Sequence, residues 1–300
     1  MSKSFTDIKT ISDLHRFYGM PGPQHPLITI IDLSEVKRTR TSEEHYYRTD
    51  FYTISCKQYD GVLKYGRSHF DFDQGSLIFA APHQVIGSSP GSVIKEGWGL
   101  FFHPDLLNTS GLGRKIADYS FFNYDLTEAL HISEEESKIL QDCLSKIKKE
   151  YSQNIDKHTQ GLILDNITLL LNYCDRFYDR QFLTRAKVNN DLLQRFENLL
   201  KEYFSAENLP ENGLPDVKYF ASHLNLSPNY LSDLLYRYTG KTTQEYIHLY
   251  VVDKAKSLLQ GSELTISEIA YKLGFTYPSH FTKVFTSKTG KSPTKFRHPD

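Results

Sequence analysis

The chain has 300 residues, 35 of them Lys or Arg and 36 Asp or Glu, for a formal net charge of −1 that by itself argues nothing for nucleic acid. At 39% hydrophobic residues it can bury two ordinary cores, and its length predicts two domains. Three scattered cysteines (Cys56, Cys143, Cys174) exclude a disulfide framework or a zinc site and read as buried, reduced thiols. The polar N-terminus and the lack of any run of 18 apolar residues predict a soluble, cytoplasmic protein without signal peptide or membrane span.

The first half reads as β-structure. Leu27–Leu33, Asp50–Lys57, Gly61–Lys64, Ser76–Ala80 and Gly97–Phe102 are short runs rich in β-branched and aromatic residues, bounded by Gly, Pro or Asp. Tyr59-Asp60-Gly61 reads as a turn between two of them. Closely spaced strands with no long helices between them predict a barrel or jelly-roll. His69 and His83 stand alone, with no H-x-H and no glutamate at ligand spacing, so no metal site is predicted. Tyr52, Tyr65, His69 and Phe70 are candidates to line a small-molecule pocket, although aromatic residues in strands more often belong to plain core.

Helical stripes follow. Ile139, Leu140, Cys143, Leu144 and Ile147 give one, and Leu162–Tyr173 gives a more continuously apolar one. Their alternatives are packing on their own barrel or pairing with another chain. Thr184–Asn190 reads as an interdomain linker, and Leu192–Tyr203 as the first helix of a second domain. Ala206–Pro215, with two prolines and a glycine, reads as a loop.

The last 85 residues carry one pattern twice, from Val217 to Ile247 and from Ile266 to Arg297. Pro228, Leu231 and Gly240-Lys241 match Pro278, Phe281 and Gly290-Lys291 at an offset of 50. Ala221 and Leu224 match Ala270 and Leu273 at 49, so the second turn holds one extra residue. Thr265 and Glu268 form a capping box, and Ile266, Ile269, Ala270 and Leu273 form one helical face. Gly274 and Asn225 suit the left-handed residue of a tight turn. Ser227 caps a second helix with Pro228 at its first position, and Gly240 and Gly290 end the second helices. Each unit is a helix-turn-helix, at about 217–240 and 266–290.

These residues resemble the DNA-binding domain of AraC/XylS-type bacterial transcription regulators. The signal is carried by Ile269–Phe275 (IA-x-x-LGF), His280–Phe285 (HF-x-x-x-F) and Gly290–Arg297 (G-K-S-P-x-x-F-R), and it extends over about 110 residues from near Val188. Gly75–His83 resembles the strand-turn of cupin-type barrels, which commonly form the sensor half of such regulators. Together these imply an α+β chain. Its N-terminal part would be a cupin-like β-barrel with flanking helices, over 1–185, for effector sensing or dimerisation. An all-α DNA-binding domain with two helix-turn-helix units would follow over 186–300.

The resemblance also implies roles. Asn229, Ser232 and Asp233 in the first unit, and Ser279, Thr282 and Lys283 in the second, would face base edges in the major groove. Arg237, Lys291 and Arg297 join them as DNA-binding residues. The stretch Gln244–Leu259 would be a connector helix of roughly 24 Å, spacing the reading helices toward successive major grooves about 34 Å apart. The sequence departs from the pattern in places: Leu235-Tyr236 and Phe285-Thr286 replace a common Phe-Lys pair, Val251 stands where arginine is common, and Asp233 sits where a polar or basic reader is expected. Charge is uneven: residues 216–263 hold five basic and five acidic groups, whereas residues 264–300 hold six basic and two acidic groups, net +4. The phosphate-directed attraction should therefore come mainly from the second unit.

The expected function is a sequence-specific DNA-binding transcription regulator, an activator by the commoner role in the resembling family. Its expected partners are double-stranded DNA, a small-molecule effector, RNA polymerase and a second copy of the chain, with no cofactor and no membrane. It is not expected to be an enzyme, since no catalytic triad, metal triad or phosphate loop emerges from the spacing. The alternatives are a cupin-type enzyme or small-molecule binder fused to a DNA reader, and an adaptor that binds protein only.

Overall fold

The computed structural model describes residues 4–36, 45–59, 75–88, 94–108, 110–125, 128–205 and 213–298. The chain separates into two compact units, Met1–Arg185 and Ala186–Asp300.

The first unit runs β1 (Ser4–Ile8), α1 (Ile11–Phe17), β2 (Ile28–Asp32), β3 (His45–Thr49), β4 (Tyr52–Tyr59), β5 (Ser76–Ala80), β6 (Val85–Ser88) and β7 (Ile94–Phe102). A short α2 (Gly111–Lys115), β8 (Leu130–His131), α3 (Glu134–Ser152) and α4 (Thr159–Thr184) complete it. The strands form two sheets, ordered β1-β3-β6 and β2-β7-β4-β5-β8. Among the described residues these sheets do not close into the expected barrel: β2 and β8 are the outer strands of the larger sheet. Alternating hydrophobicity specifies strands, but closure depends on long-range shear and register that no local pattern encodes. The expected strand at Gly61–Lys64 and the turn at Tyr59-Asp60-Gly61 lie, wholly or in part, outside the described residues.

The larger sheet is buried on both faces. Ile54 lies opposite Phe79 and Leu100, and Ile28 opposite Phe102, all buried on one face. The helices approach this face: Tyr178 of α4 packs 6.0 Å from the Phe79 ring, and the Tyr151 hydroxyl of α3 accepts the Ile30 amide at 3.2 Å. On the other face Ile31 and Phe101 join Ile8, Ile11, Leu14, Tyr18 and Phe51 in a second cluster under α1. Gly99 is required there, because a Cβ would sit 2.5 Å from the Phe101 ring. His15 is buried with both ring nitrogens engaged, Nδ1 with the Pro21 carbonyl and Nε2 with Thr29 Oγ1 at 2.9 Å. The three cysteines are free and buried, and burial pushes the Cys56 thiol up to about 11.

The second unit is helical: α5 (Ala186–Tyr203), α6 (Val217–Leu224), α7 (Pro228–Thr239), α8 (Thr243–Gly261), α9 (Ile266–Lys272), α10 (Pro278–Thr289) and α11 (Pro293–Arg297). The expected linker Thr184–Asn190 is instead almost wholly helical, with only Arg185 between α4 and α5. Its polar residues belong to the helix, and Asn189 is buried with its amide donating to the Tyr238 hydroxyl at 3.1 Å. One apolar core runs through the whole unit. It joins Phe196 and Phe220, Leu231 and Leu235 of α7, Val251 and Ala255 of α8, and Ile269, Phe281 and Phe285 of α9 and α10. Val251 is fully buried in this core, so an arginine there would be a buried charge.

Candidate nucleic-acid interface

Each helix-turn-helix is fixed by its turn. In the first, α6 ends on Asn225 in the left-handed conformation (φ 56°), and the Leu226 amide returns to the Ala221 carbonyl at 2.9 Å. In the second, Gly274 takes that conformation (φ 84°), and the Phe275 amide reaches the Ala270 carbonyl at 3.0 Å. Ala221 and Ala270 are both buried, as close helix crossing requires. Thr276 is then the extra residue before the second reading helix. The Ser227 hydroxyl caps α7 by accepting the Tyr230 amide, whereas Tyr277 occupies the equivalent N-cap of α10 and makes no such bond. Gly240 (φ 68°) and Gly290 (φ 74°) terminate the two reading helices.

The core-facing side of α7 is Leu231, Leu234 and Leu235; that of α10 is Phe281 and Phe285. Asn229, Ser232 and Asp233 lie half-buried on the opposite side of α7, with Arg237 exposed. Ser279 and Lys283 are exposed on α10, with Thr282 half-buried beside them, and Lys291 is exposed beyond its end. The first reading helix is the less open of the two: the Ser232 hydroxyl accepts a long bond from Thr243 Oγ1 at 3.4 Å. Arg297 is set apart. Its Nε donates to the Leu259 carbonyl at 3.1 Å, near the C-terminal end of α8, so its guanidinium clasps the connector from α11.

Sequence reasoning missed several groups around these helices. Thr242 and Glu245 form a capping box that opens α8, and the Thr242 amide and hydroxyl hold the Glu245 carboxyl below its usual range. Glu245 also meets Lys288 of α10 at 3.8 Å. The T-x-x-E spacing was readable. The partner from α10 was not, because it depends on how the connector meets the second unit. His248 on α8 has its pKa lowered by burial, then by the nearby His280 and Lys288. Tyr246 donates to Glu197 of α5 at 2.5 Å, and burial with that carboxylate pushes its phenol up to about 12.

In the first unit Tyr52 stacks on Phe102 at 5.3 Å and meets Phe122 edge-on at 5.0 Å, so its ring is part of the aromatic packing. Tyr65, His69 and Phe70 lie outside the described residues. His83 sits in a left-handed turn (φ 69°) with Nδ1 3.1 Å from Asp50. Among the described residues no group of three or more His, Cys, Asp or Glu is arranged to hold a metal ion. A recess lined by Phe79, Phe121, Tyr124, Asp125, Glu128 and Tyr178, among others, has a cavity volume of about 10 Å³, room for about one water. Among the described residues no helix is long and apolar enough to cross a membrane.

Two helix-turn-helix units on one core, each with a polar outer face on its second helix, define a tandem helix-turn-helix domain. Residues 220–298 match the family described as a helix-turn-helix domain. Similar proteins include the uncharacterized HTH-type transcriptional regulator YijO of Escherichia coli, 23% identical over 192 residues and 64% of either chain. The HTH-type transcriptional activator RhaR of Cronobacter sakazakii is 37% identical over 82 residues, 27% of this chain and 29% of RhaR. The chain thus spans 64% or less of the length of these relatives. Among solved structures, the C-terminal domain of the two-component response regulator yesN from Fusobacterium nucleatum is 25% identical. That likeness covers 36% of this chain and 99% of that one, with a TM-score of 0.32.

Proposed function

We propose that the protein is a sequence-specific DNA-binding transcription regulator of the cytoplasm that activates its promoters through contact with RNA polymerase. The observation that carries this reading is the pair of reading helices, α7 and α10, held by one continuous core and joined by α8. Asn229, Ser232, Asp233, Ser279, Thr282 and Lys283 read bases, and Arg237 and Lys291 hold phosphates. Arg297 supports the surface from behind through α8. The name of RhaR as an activator supports the direction of regulation. The test is selection of duplexes from a random library by the full chain, followed by binding over a salt series and transcription from the selected site. Failure to enrich any sequence, or salt-independent binding, sinks the reading.

The first unit senses a small molecule and pairs with a second copy. Pairing is supported by Leu162, Leu169 and Leu183, which lie exposed at multiples of seven residues along α4. Sensing is supported by the buried hydroxyls of Thr53 and Ser55 on the α1-facing side of the larger sheet. Thr53 Oγ1 has no partner among the described residues. Sedimentation of Leu169→Glu against the wild type tests pairing. A thermal-shift screen of the full chain tests sensing, with about 2.7 kcal/mol of stabilisation expected at a hundredfold excess over Kd.

A further inference from the structure

We propose that Tyr236 is an additional DNA-contacting residue, one that gives the first reading helix a neutral, salt-insensitive hold on the duplex; this rests on the DNA-binding reading above. Tyr236 follows Asn229 by seven residues on α7, which is about 20° short of two full turns. It therefore lies on the same outer line as Asn229, between the directions of Ser232 and Asp233, and opposite the buried Leu231, Leu234 and Leu235. Tyr236 is 59% exposed, and its side chain meets no ring or hydrogen-bond partner among the described residues. A large aromatic side chain held open on the face turned toward DNA loses contact with water when the duplex arrives.

The position fixes what it can touch. Seven residues of helix advance about 10.5 Å, roughly three base-pair steps from the bases that the helix N-terminus reads. A phenol at that distance reaches the groove wall, where its ring lies on deoxyribose and its hydroxyl donates to a phosphate oxygen. The equivalent position in the second unit, 50 residues on, is Thr286, in a unit with net charge +4. The first helix-turn-helix, within residues 216–263, has balanced charge, so it has less to gain from counterion release. A neutral donor releases no counterion, and its contribution persists at high salt.

The experiment uses the full chain and the duplex enriched by the wild type from a random library, with fluorescence anisotropy from about 50 to 200 mM salt. Tyr236→Ala should weaken binding about tenfold at every salt concentration, with the slope of log affinity against log salt unchanged. Tyr236→Phe, which keeps the ring, should lose about threefold. Lys291→Ala is the contrast, lowering the slope by about 0.9. Melting temperatures of both tyrosine variants should match the wild type, because the side chain is exposed. Wild-type affinity in Tyr236→Ala overturns the proposal, and so does a loss that disappears at high salt. If the wild type itself shows no salt-dependent duplex binding, the DNA-binding reading falls and this inference falls with it.

Discussion

Phe285→Ala tests whether the two reading units are one cooperative body. Phe285 is fully buried, its ring 5.8 Å from Phe281 and 5.4 Å from Phe296 of α11. Truncating a buried phenylalanine costs about 3–5 kcal/mol, transfer and cavity together. For a unit of roughly 115 residues, each kcal/mol moves the midpoint by about 4 °C, so its melting should fall by about 12–20 °C. The informative readout is hydrogen exchange in α7, on the far side of α8. If the core through Val251 and Ala255 couples the units, α7 amides that exchange by global opening lose protection with those of α10. The loss should be about two to three and a half powers of ten, as the energy dictates. Loss confined to α9–α11, with α7 protected as in the wild type, would show that the units open separately and refute the single-core argument.

Three further outcomes follow from the same geometry. Lys283→Ala should weaken binding to the selected duplex by about 1–3 kcal/mol and leave non-specific binding nearly unchanged, whereas Lys291→Ala should weaken all duplexes alike; competition with scrambled DNA separates them. Arg297→Ala should cost about 1.5–3 kcal/mol of stability through the lost bond to Leu259 while leaving the salt slope intact, and a slope lowered by about 0.9 would return Arg297 to the phosphates. Because the folded pKa of His248 lies below its ordinary 6.5, the neutral form is favoured in the fold. Stability from this site is therefore complete above pH 6.5 and declines as pH falls below it. His248→Gln should flatten that acid limb in thermal melts, and an unchanged limb would assign it to other groups.

The C-terminal unit was legible because its signals are local. The Thr265–Glu268 capping box, the Ser227 cap, the left-handed Asn225 and Gly274 and the terminating glycines all stand where the spacing placed them. The extra residue before α10 was visible as the change of offset from 49 to 50. Strands β2, β4, β5 and β7 were legible from composition, but β1, β3, β6 and β8 were not. β1 pairs in parallel with β3 some forty residues away, and β8 is two residues long, so neither leaves a local period to detect. Helix α1 was hidden in a stretch judged by its polarity, although Thr10 and Asp13 form a capping box there. The surroundings of Arg297 were not legible for a related reason. A basic residue at the end of a DNA-binding motif suggests a phosphate contact, and only the packing of α11 against α8 shows where its guanidinium is held.

The asymmetry between the two units has a structural basis as well as an electrostatic one. In the second helix-turn-helix Ser279 and Lys283 are exposed, and residues 264–300 carry six basic groups against two acidic ones, with Lys288 also meeting Glu245. In the first, the Ser232 hydroxyl is engaged by Thr243, and Asp233 opposes any phosphate brought near it. On the DNA-binding reading proposed above, long-range attraction acts chiefly on α10 and sets how fast the duplex is found and how strongly binding depends on salt. Short-range selection then falls on α7, where Asp233 and Arg237 cancel in charge and the surface binds only if the groove fits it. The connector makes this division possible: with Val251 buried and one core on both sides, α8 transmits the position fixed by the second unit to the first. Scrambling the half-site under α10 should accordingly cost more affinity than scrambling the one under α7, and the difference should narrow as salt rises.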